Sequence, residues 1–238
     1  MKKAVIILSG GLDSTTCMGI AAEAGYSLYP LTFDYGQRHR IELLNAQKVA
    51  DHYCVGDKLK LITLPFLRDF GGSALTDDQI AVPHMDAPQG NGYTEGKMML
   101  DVNEDIPVTY VPGRNLLFLS IATSYAEAIG AEAIYIGVNA LDYSGYPDCR
   151  PDFIDKVNEV ITLATKVGVQ GGSIRIQTPL IHMTKADIIR EGLRLEVPYA
   201  LTTSCYNGGT KACGECDSCV LRLRGFAEAD AVDPIIYL

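Results

Sequence analysis

A chain of 238 residues that is 47% hydrophobic and 21% charged is long enough to bury a full core and has the composition of a folded globular protein, not of a disordered or fibrous one. With 20 Lys and Arg against 29 Asp and Glu the formal charge is -9, which argues against the long electrostatic grip on phosphates that a nucleic-acid partner demands. No stretch approaches the roughly 18 apolar residues of a membrane span, and the start MKKAVIILSGG lacks the small-residue cleavage site of a secretion signal, so the reading is a cytoplasmic protein acting on small molecules with no membrane partner.

Val5 to Leu8 form an apolar run that ends in Ser-Gly-Gly, and an Ala-rich helical stretch follows from Asp13 to about Ala24. A second strand is expected over Ser27 to Phe33, a helix over His39 to Cys54, and a third strand over Lys58 to Leu64. From about Arg68 to Val111 periodicity disappears and Gly and Pro punctuate a long irregular segment. Its stretch from Asp86 to Asp105 carries five carboxylates against the single cation Lys97, so it should not bind nucleotide; a lid that orders over the site is expected instead. Regularity returns as a helix over Asn115 to Ile129, a strand over Ala133 to Val138, a helix over Phe153 to Thr165 and a strand over Ile174 to Gln177. About five strands with interleaved helices predict an α/β fold with a parallel, doubly wound, Rossmann-like sheet over residues 1–200. Beyond Thr202 the composition turns to Cys, Gly and small polar residues, then a helix over Val220 to Ala229, and this predicts a metal-stapled subdomain over 201–238.

The first chemical motif is Ser9-Gly10-Gly11-Leu12-Asp13-Ser14-Thr15, set where backbone N–H groups and the positive end of a helix dipole face one point. Glycines let the backbone approach an anion, and Ser9, Ser14 and Thr15 add hydroxyl donors; Asp13 is alternatively the helix N-cap. The loop lacks the Lys of a P-loop and the third Gly of a dinucleotide-binding turn. It matches SGGxDS, the loop of the PP-loop ATP pyrophosphatases, residue for residue. That resemblance implies an adenine nucleotide alpha hydrolase-like fold, cleavage of ATP between its α- and β-phosphates with magnesium bridging the phosphates, and ATP binding by Leu8, Ser9, Gly10, Gly11, Leu12, Asp13, Ser14, Thr15, Thr16, Cys17 and Met18, with Asp13 and Ser14 catalytic.

The second motif is Cys205, Cys213, Cys216 and Cys219 in SCYNGGTKACGECDSC. Four thiolates at this spacing satisfy one tetrahedral, structural zinc per chain, with an iron–sulfur cluster as the rival. The remaining cysteines, Cys17, Cys54 and Cys149, are isolated, and a lone Cys such as Cys149 is more often an inert small apolar residue than a nucleophile.

Together with FDYGQRH after the second strand, VPGRNLLFLS at the middle helix, GVNALDYSGYPDCR after the fourth strand and LRLRGF near the end, these motifs make the chain resemble the 7-cyano-7-deazaguanine synthases along nearly its whole length. Thr203 stands where family members often carry Trp, which removes no zinc ligand. The resemblance implies conversion of 7-carboxy-7-deazaguanine, ammonia and ATP into the 7-cyano base of queuosine biosynthesis through adenylated carboxylate and amide, by a homodimer. Arg114 and Lys185 would meet phosphate or carboxylate as catalytic cations. Arg114, Asn115, Asp142, Tyr143, Ser144, Asp148 and Arg150 would face the base, with Tyr143 or Tyr146 stacking on it. His39 and His52 fall on a helical pattern and read as structural. Two other classes stay open from sequence: another PP-loop enzyme, such as a tRNA thiolase or an amide-forming synthetase, and a zinc-stapled nucleotide-binding scaffold without turnover.

Overall fold

Val5 and Ile7 alternate with Ala4, Ile6 and Leu8, and all five are buried, so the first strand belongs in a sheet covered on both faces. The computed structural model, which describes residues 2–83, 106–141 and 145–238, has that arrangement. β1 (Lys3–Ile7) leads to α1 (Leu12–Glu23), β2 (Ser27–Asp34), α2 (Ile41–His52), β3 (Lys60–Thr63) and the short α3 (Phe66–Phe70). Then come α4 (Arg114–Ile129), β4 (Ala133–Tyr135), α5 (Pro151–Ala164), α6 (Lys166–Val169), β5 (Arg175–Gln177), α7 (Lys185–Arg194) and α8 (Asp217–Glu228).

Among the described residues the five strands pair in parallel in the order β3-β2-β1-β4-β5, the doubly wound sheet expected. Chain order reverses direction between β1 and β4, and such a switch point opens a crevice at the carboxyl ends of the strands. One face packs Val5, Ile7, Leu31 and Phe33 against Phe118 and Leu119 of α4 and Ile154 and Ile161 of α5. The other packs Ala4, Ile6 and Leu8 against Met18 of α1, Val49 of α2, Ile188 of α7 and Phe226 of α8. β4 stops at Tyr135, short of the expected Val138, and Ile136 to Asn139 line the crevice instead. Among the described residues no helix is long and apolar enough to cross a membrane.

Part of the segment without periodicity is packed. Leu75 joins the first core, while Ala74 and Val82 join Cys205, Ala212, Cys216 and Cys219 in a third cluster, so the C-terminal piece shares its interior with the middle of the chain. Arg38 fastens this segment by donating from Nη2 to the carbonyls of Asp77 (2.5 Å) and Ile80 (2.8 Å). The acidic stretch from Asp86 to Asp105, expected to be a lid, lies outside the described residues.

The end of the chain is held by backbone hydrogen bonds between Ala212 and both Ile236 and Leu238, and by a buried ion pair. Arg222 of α8 is 1% exposed, donates from Nε and Nη2 to the Asp233 carboxylate at 2.7 and 2.9 Å, and donates from Nη1 to Thr202 Oγ1 at 2.8 Å. Removing one partner of a buried pair leaves the other charge uncompensated. Asp233→Ala is therefore expected to cost about 3–5 kcal/mol in urea unfolding, whereas Lys156→Ala, which breaks an exposed pair with Glu159, should leave the midpoint where it is. Equal effects would show that the tail is not secured by Arg222.

Candidate active site

The loop after β1 is shaped by what Gly10 lacks. Its φ is +87°, and a Cβ there would overlap the Glu42 carbonyl oxygen and stand 2.6 Å from the amide nitrogen of Ala46, so the first turn of α2 packs directly on the loop backbone. Hydroxyls knit the loop: Ser9 N donates to Ser14 Oγ at 3.2 Å, the two hydroxyls meet at 3.1 Å, and Ser14 Oγ also donates to the Gly11 carbonyl at 3.1 Å. Gly11 is the N-cap of α1 and no side chain caps it. Asp13 does not take the capping role open to it from sequence; its two carboxylate oxygens accept from Lys185 Nζ at 2.8 and 2.9 Å. Lys185 starts α7 behind a Thr184–Asp187 capping box, and Gly225 of α8 lies so close that a Cβ there would overlap Lys185 Cγ.

These groups border a cavity of about 280 Å³ at the switch point. Leu8, Ser9, Gly11, Leu12, Asp13 and Ser14 line it; Gly10, Thr15, Thr16, Cys17 and Met18 do not. Thr15 and Thr16 are fully buried, their hydroxyls donating to the carbonyls of Gly11 (2.8 Å) and Leu12 (2.9 Å). Cys17 and Met18 are core residues on the sheet side of α1.

The opposite wall is aromatic and cationic. Arg114 donates from Nη1 to Tyr35 Oη at 3.1 Å and lies over the rings of Tyr35 and Tyr146, at 5.7 and 6.0 Å from their centroids. Phe33 and Phe118, stacked at 3.9 Å, line the same cavity. Asn115 also lines it, and is fixed by Asp148, whose carboxylate accepts from the Asn115 backbone N–H at 3.0 Å and from Nδ2 at 3.3 Å. Asp148 thereby serves as a cap for α4 supplied from elsewhere in the chain, and burial pushes its pKa up against the pull of those hydrogen bonds. Asp148 is buried and Arg150 exposed, and neither lines the cavity. Asp142, Tyr143 and Ser144 lie outside the described residues. Cys149 does line the cavity, but burial first, and then the Asp148 charge, push its thiol up to about 12, so it is no thiolate.

Several lining residues do not announce themselves in sequence. Glu42 and His39 face the loop; His39 precedes α2 instead of lying on it, and burial, followed by the Arg114 charge, lowers its pKa to about 4. Tyr206 reaches the wall from the cysteine-rich piece, next to Thr203 and Ser204. FDYGQRH and SCYNGG contain His39 and Tyr206, so the motif strings were the available signal.

The four sulfurs of Cys205, Cys213, Cys216 and Cys219 lie within 4.8 Å of one another, and those of Cys213 and Cys219 are 3.9 Å apart. Thiolates about 2.3 Å from a tetrahedral ion stand roughly 3.8 Å apart, so the cluster fits one. Backbone N–H groups already point at sulfur: Cys213 N at Cys205 Sγ and Cys216 N at Cys213 Sγ, both 3.4 Å. Hydrogen bonds from Cys216 and Cys219 hold the Cys205 thiol well below its ordinary pKa.

A parallel sheet whose switch point carries a Ser-Gly-Gly-x-Asp-Ser loop at a helix N-terminus defines a PP-loop, ATP-utilising protein. Within that class the chain belongs to the family described as queuosine biosynthesis protein QueC, whose model matches residues 3–230. It is 56% identical to a 7-cyano-7-deazaguanine synthase of Oceanobacillus iheyensis over 100% of this chain and 99% of that protein. It is 51% identical to one of Thermoplasma acidophilum over 99% of this chain and 92% of that one. Among solved structures, a 4-thiouridine synthetase in complex with RNA and ATP is similar at 18% identity and a TM-score of 0.49, covering 99% of this chain and 47% of that one.

Gly10→Ala should force the loop off α2. The expected outcome is a stability loss of at least about 1 kcal/mol and at least about tenfold weaker binding of a non-hydrolysable ATP analogue, read by urea unfolding and calorimetry. Unchanged analogue binding would separate the loop's packing on α2 from its role in the site.

Proposed function

We propose that the chain is an ATP-dependent carbon–nitrogen ligase that converts 7-carboxy-7-deazaguanine and ammonia to 7-cyano-7-deazaguanine through adenylated carboxylate and amide. The observation that carries this reading is a cavity bordered on one side by the Ser9–Ser14 loop with Lys185 and on the other by Arg114 among aromatic rings, in a chain of this family. A carboxylate is a poor electrophile, and transfer of AMP to its oxygen supplies a leaving group; a second transfer, to the amide oxygen, permits elimination to the nitrile. Magnesium accompanying ATP would neutralise charge on the phosphates as pyrophosphate departs.

The protein's own groups position and neutralise. Gly11, Ser9 and Ser14 present N–H and hydroxyl donors to pyrophosphate at the start of α1, and Lys185 moves between Asp13 and phosphate. Arg114, held by Tyr35, takes the substrate carboxylate or the α-phosphate. The flat base lies among Tyr35, Tyr146 and Tyr206 near Asn115. The four cysteines hold a structural zinc, and the working unit is a cytoplasmic homodimer that takes small molecules and no nucleic acid.

Incubation with the carboxy base, ammonium and MgATP, followed by mass spectrometry, should yield the cyano base with AMP and pyrophosphate. ADP in place of AMP would overturn the adenylation chemistry. Asp13→Ala and Ser14→Ala should abolish AMP formation in proteins that remain folded by circular dichroism; wild-type turnover in either would remove the loop from the reaction. Purified protein should carry about one zinc per chain, and Cys216→Ser should lower stability more than it alters the chemistry of what stays folded. A brown protein with stoichiometric iron would replace zinc by a cluster.

A further inference from the structure

One acid at the loop has no part in the chemistry above. Glu42, in the first turn of α2, is brought to the loop by the backbone contact at Gly10; its Oε1 lies 3.5 Å from where a Cβ on Gly11 would stand, a point also 3.2 Å from Ser9 Oγ. Its side chain is 15% exposed, and among the described residues its carboxylate has one side-chain partner at ion-pair distance, Nε2 of His39 at 3.3 Å. His39, itself buried and neutral, supplies no compensating charge. Tyr35 and Arg114 face the same carboxylate across the cavity, and Asp13 and Lys185 border it, engaged with each other. An acid beside a loop suited to pyrophosphate sits there at little electrostatic cost as its neutral form, and once ionised above its raised pKa it faces a crevice where a small cation can meet it.

We propose that Glu42, held by His39, binds the nitrogen donor as ammonium beside the adenylated substrate and takes a proton from it, so that ammonia forms where it attacks. This rests on the ligase reading above and names the site and base for its second substrate. Ammonium has no lone pair and cannot attack. Proton transfer to the Glu42 carboxylate frees the pair, which forms the C–N bond; the C–O bond to AMP then breaks with its electrons leaving on the phosphate. Of the four protons of ammonium two remain in the amide, the first passes through Glu42 to solvent, and the second follows as the tetrahedral adduct collapses. Burial, opposed by Arg114, raises the Glu42 pKa to about 8, which matches it to a proton donor that is itself weakly acidic.

The test compares ammonium with hydroxylamine, which is neutral near pH 7 and needs no prior proton loss. In the wild type, kcat/KM for ammonium should pass through a maximum between pH of about 8 and ammonium's own higher pKa, while the hydroxamate-forming rate should not. Glu42→Gln should lower ammonium-dependent turnover by about 100-fold or more and hydroxylamine-dependent turnover far less, with an ammonium rate that climbs steadily with free ammonia. Equal losses with the two nucleophiles, or no loss with ammonium, would overturn the assignment. If Glu42→Gln does not fold, superimposable wild-type pH profiles for the two nucleophiles overturn it equally. Carboxylate-dependent exchange of pyrophosphate into ATP without any nitrogen donor separates the two readings: its absence in the wild type sinks the ligase, whereas its presence with an indifferent Glu42 sinks only this proposal.

Discussion

The crevice depends on a backbone contact that admits no side chain. Because Gly10 has none, α2 can rest on the loop after β1, and that one approach fixes two things together: the direction of the donors at the start of α1 and the place of Glu42. The sheet contributes by setting where the contact falls, since β1 and β4 part at the point where strand order reverses. The loop backbone is thereby fixed, while Ser14 Oγ and Lys185 are engaged with the Gly11 carbonyl and the Asp13 carboxylate and would have to turn to meet a ligand.

Charge in the crevice is arranged in opposed pairs, not in a uniform positive field. Lys185 answers Asp13, and Arg114 stands among Tyr35, Tyr146 and the more distant Asp148. A chain of net charge -9 thus keeps a Lys and an Arg at one crevice, Lys185 oriented by its ion pair with Asp13 and Arg114 by the Tyr35 hydroxyl.

Sequence displayed the parts whose demands are local. The hydroxyl-and-glycine loop must keep small residues to let an anion approach, and four thiolates must keep their spacing to close on one ion, so both remain visible as strings. The strands showed through unbroken apolar runs, the mark of a sheet buried on both faces. What stayed hidden is set by distant contacts. Asp148 reads as a base partner, yet its oxygens hold the start of α4, 33 residues away. His39 and Glu42 sit in what scans as a helix, and only the tertiary approach of the loop turns them toward the cavity. Leu75 and Val82 fall in a stretch without period because they fill the edges of two different cores, not one face of an element.

The third cluster, in which Ala74 and Val82 meet the cysteines, bears on how the protein comes into being on the ribosome. All five strands have been made by Gln177, and domains generally fold as they emerge, so the sheet can assemble early. Tyr206, Asp217 and Arg222, which close the crevice, come later, and so do the cysteines that seat them. A nascent chain therefore presents the loop after β1 before the residues that complete the wall of the crevice have been made.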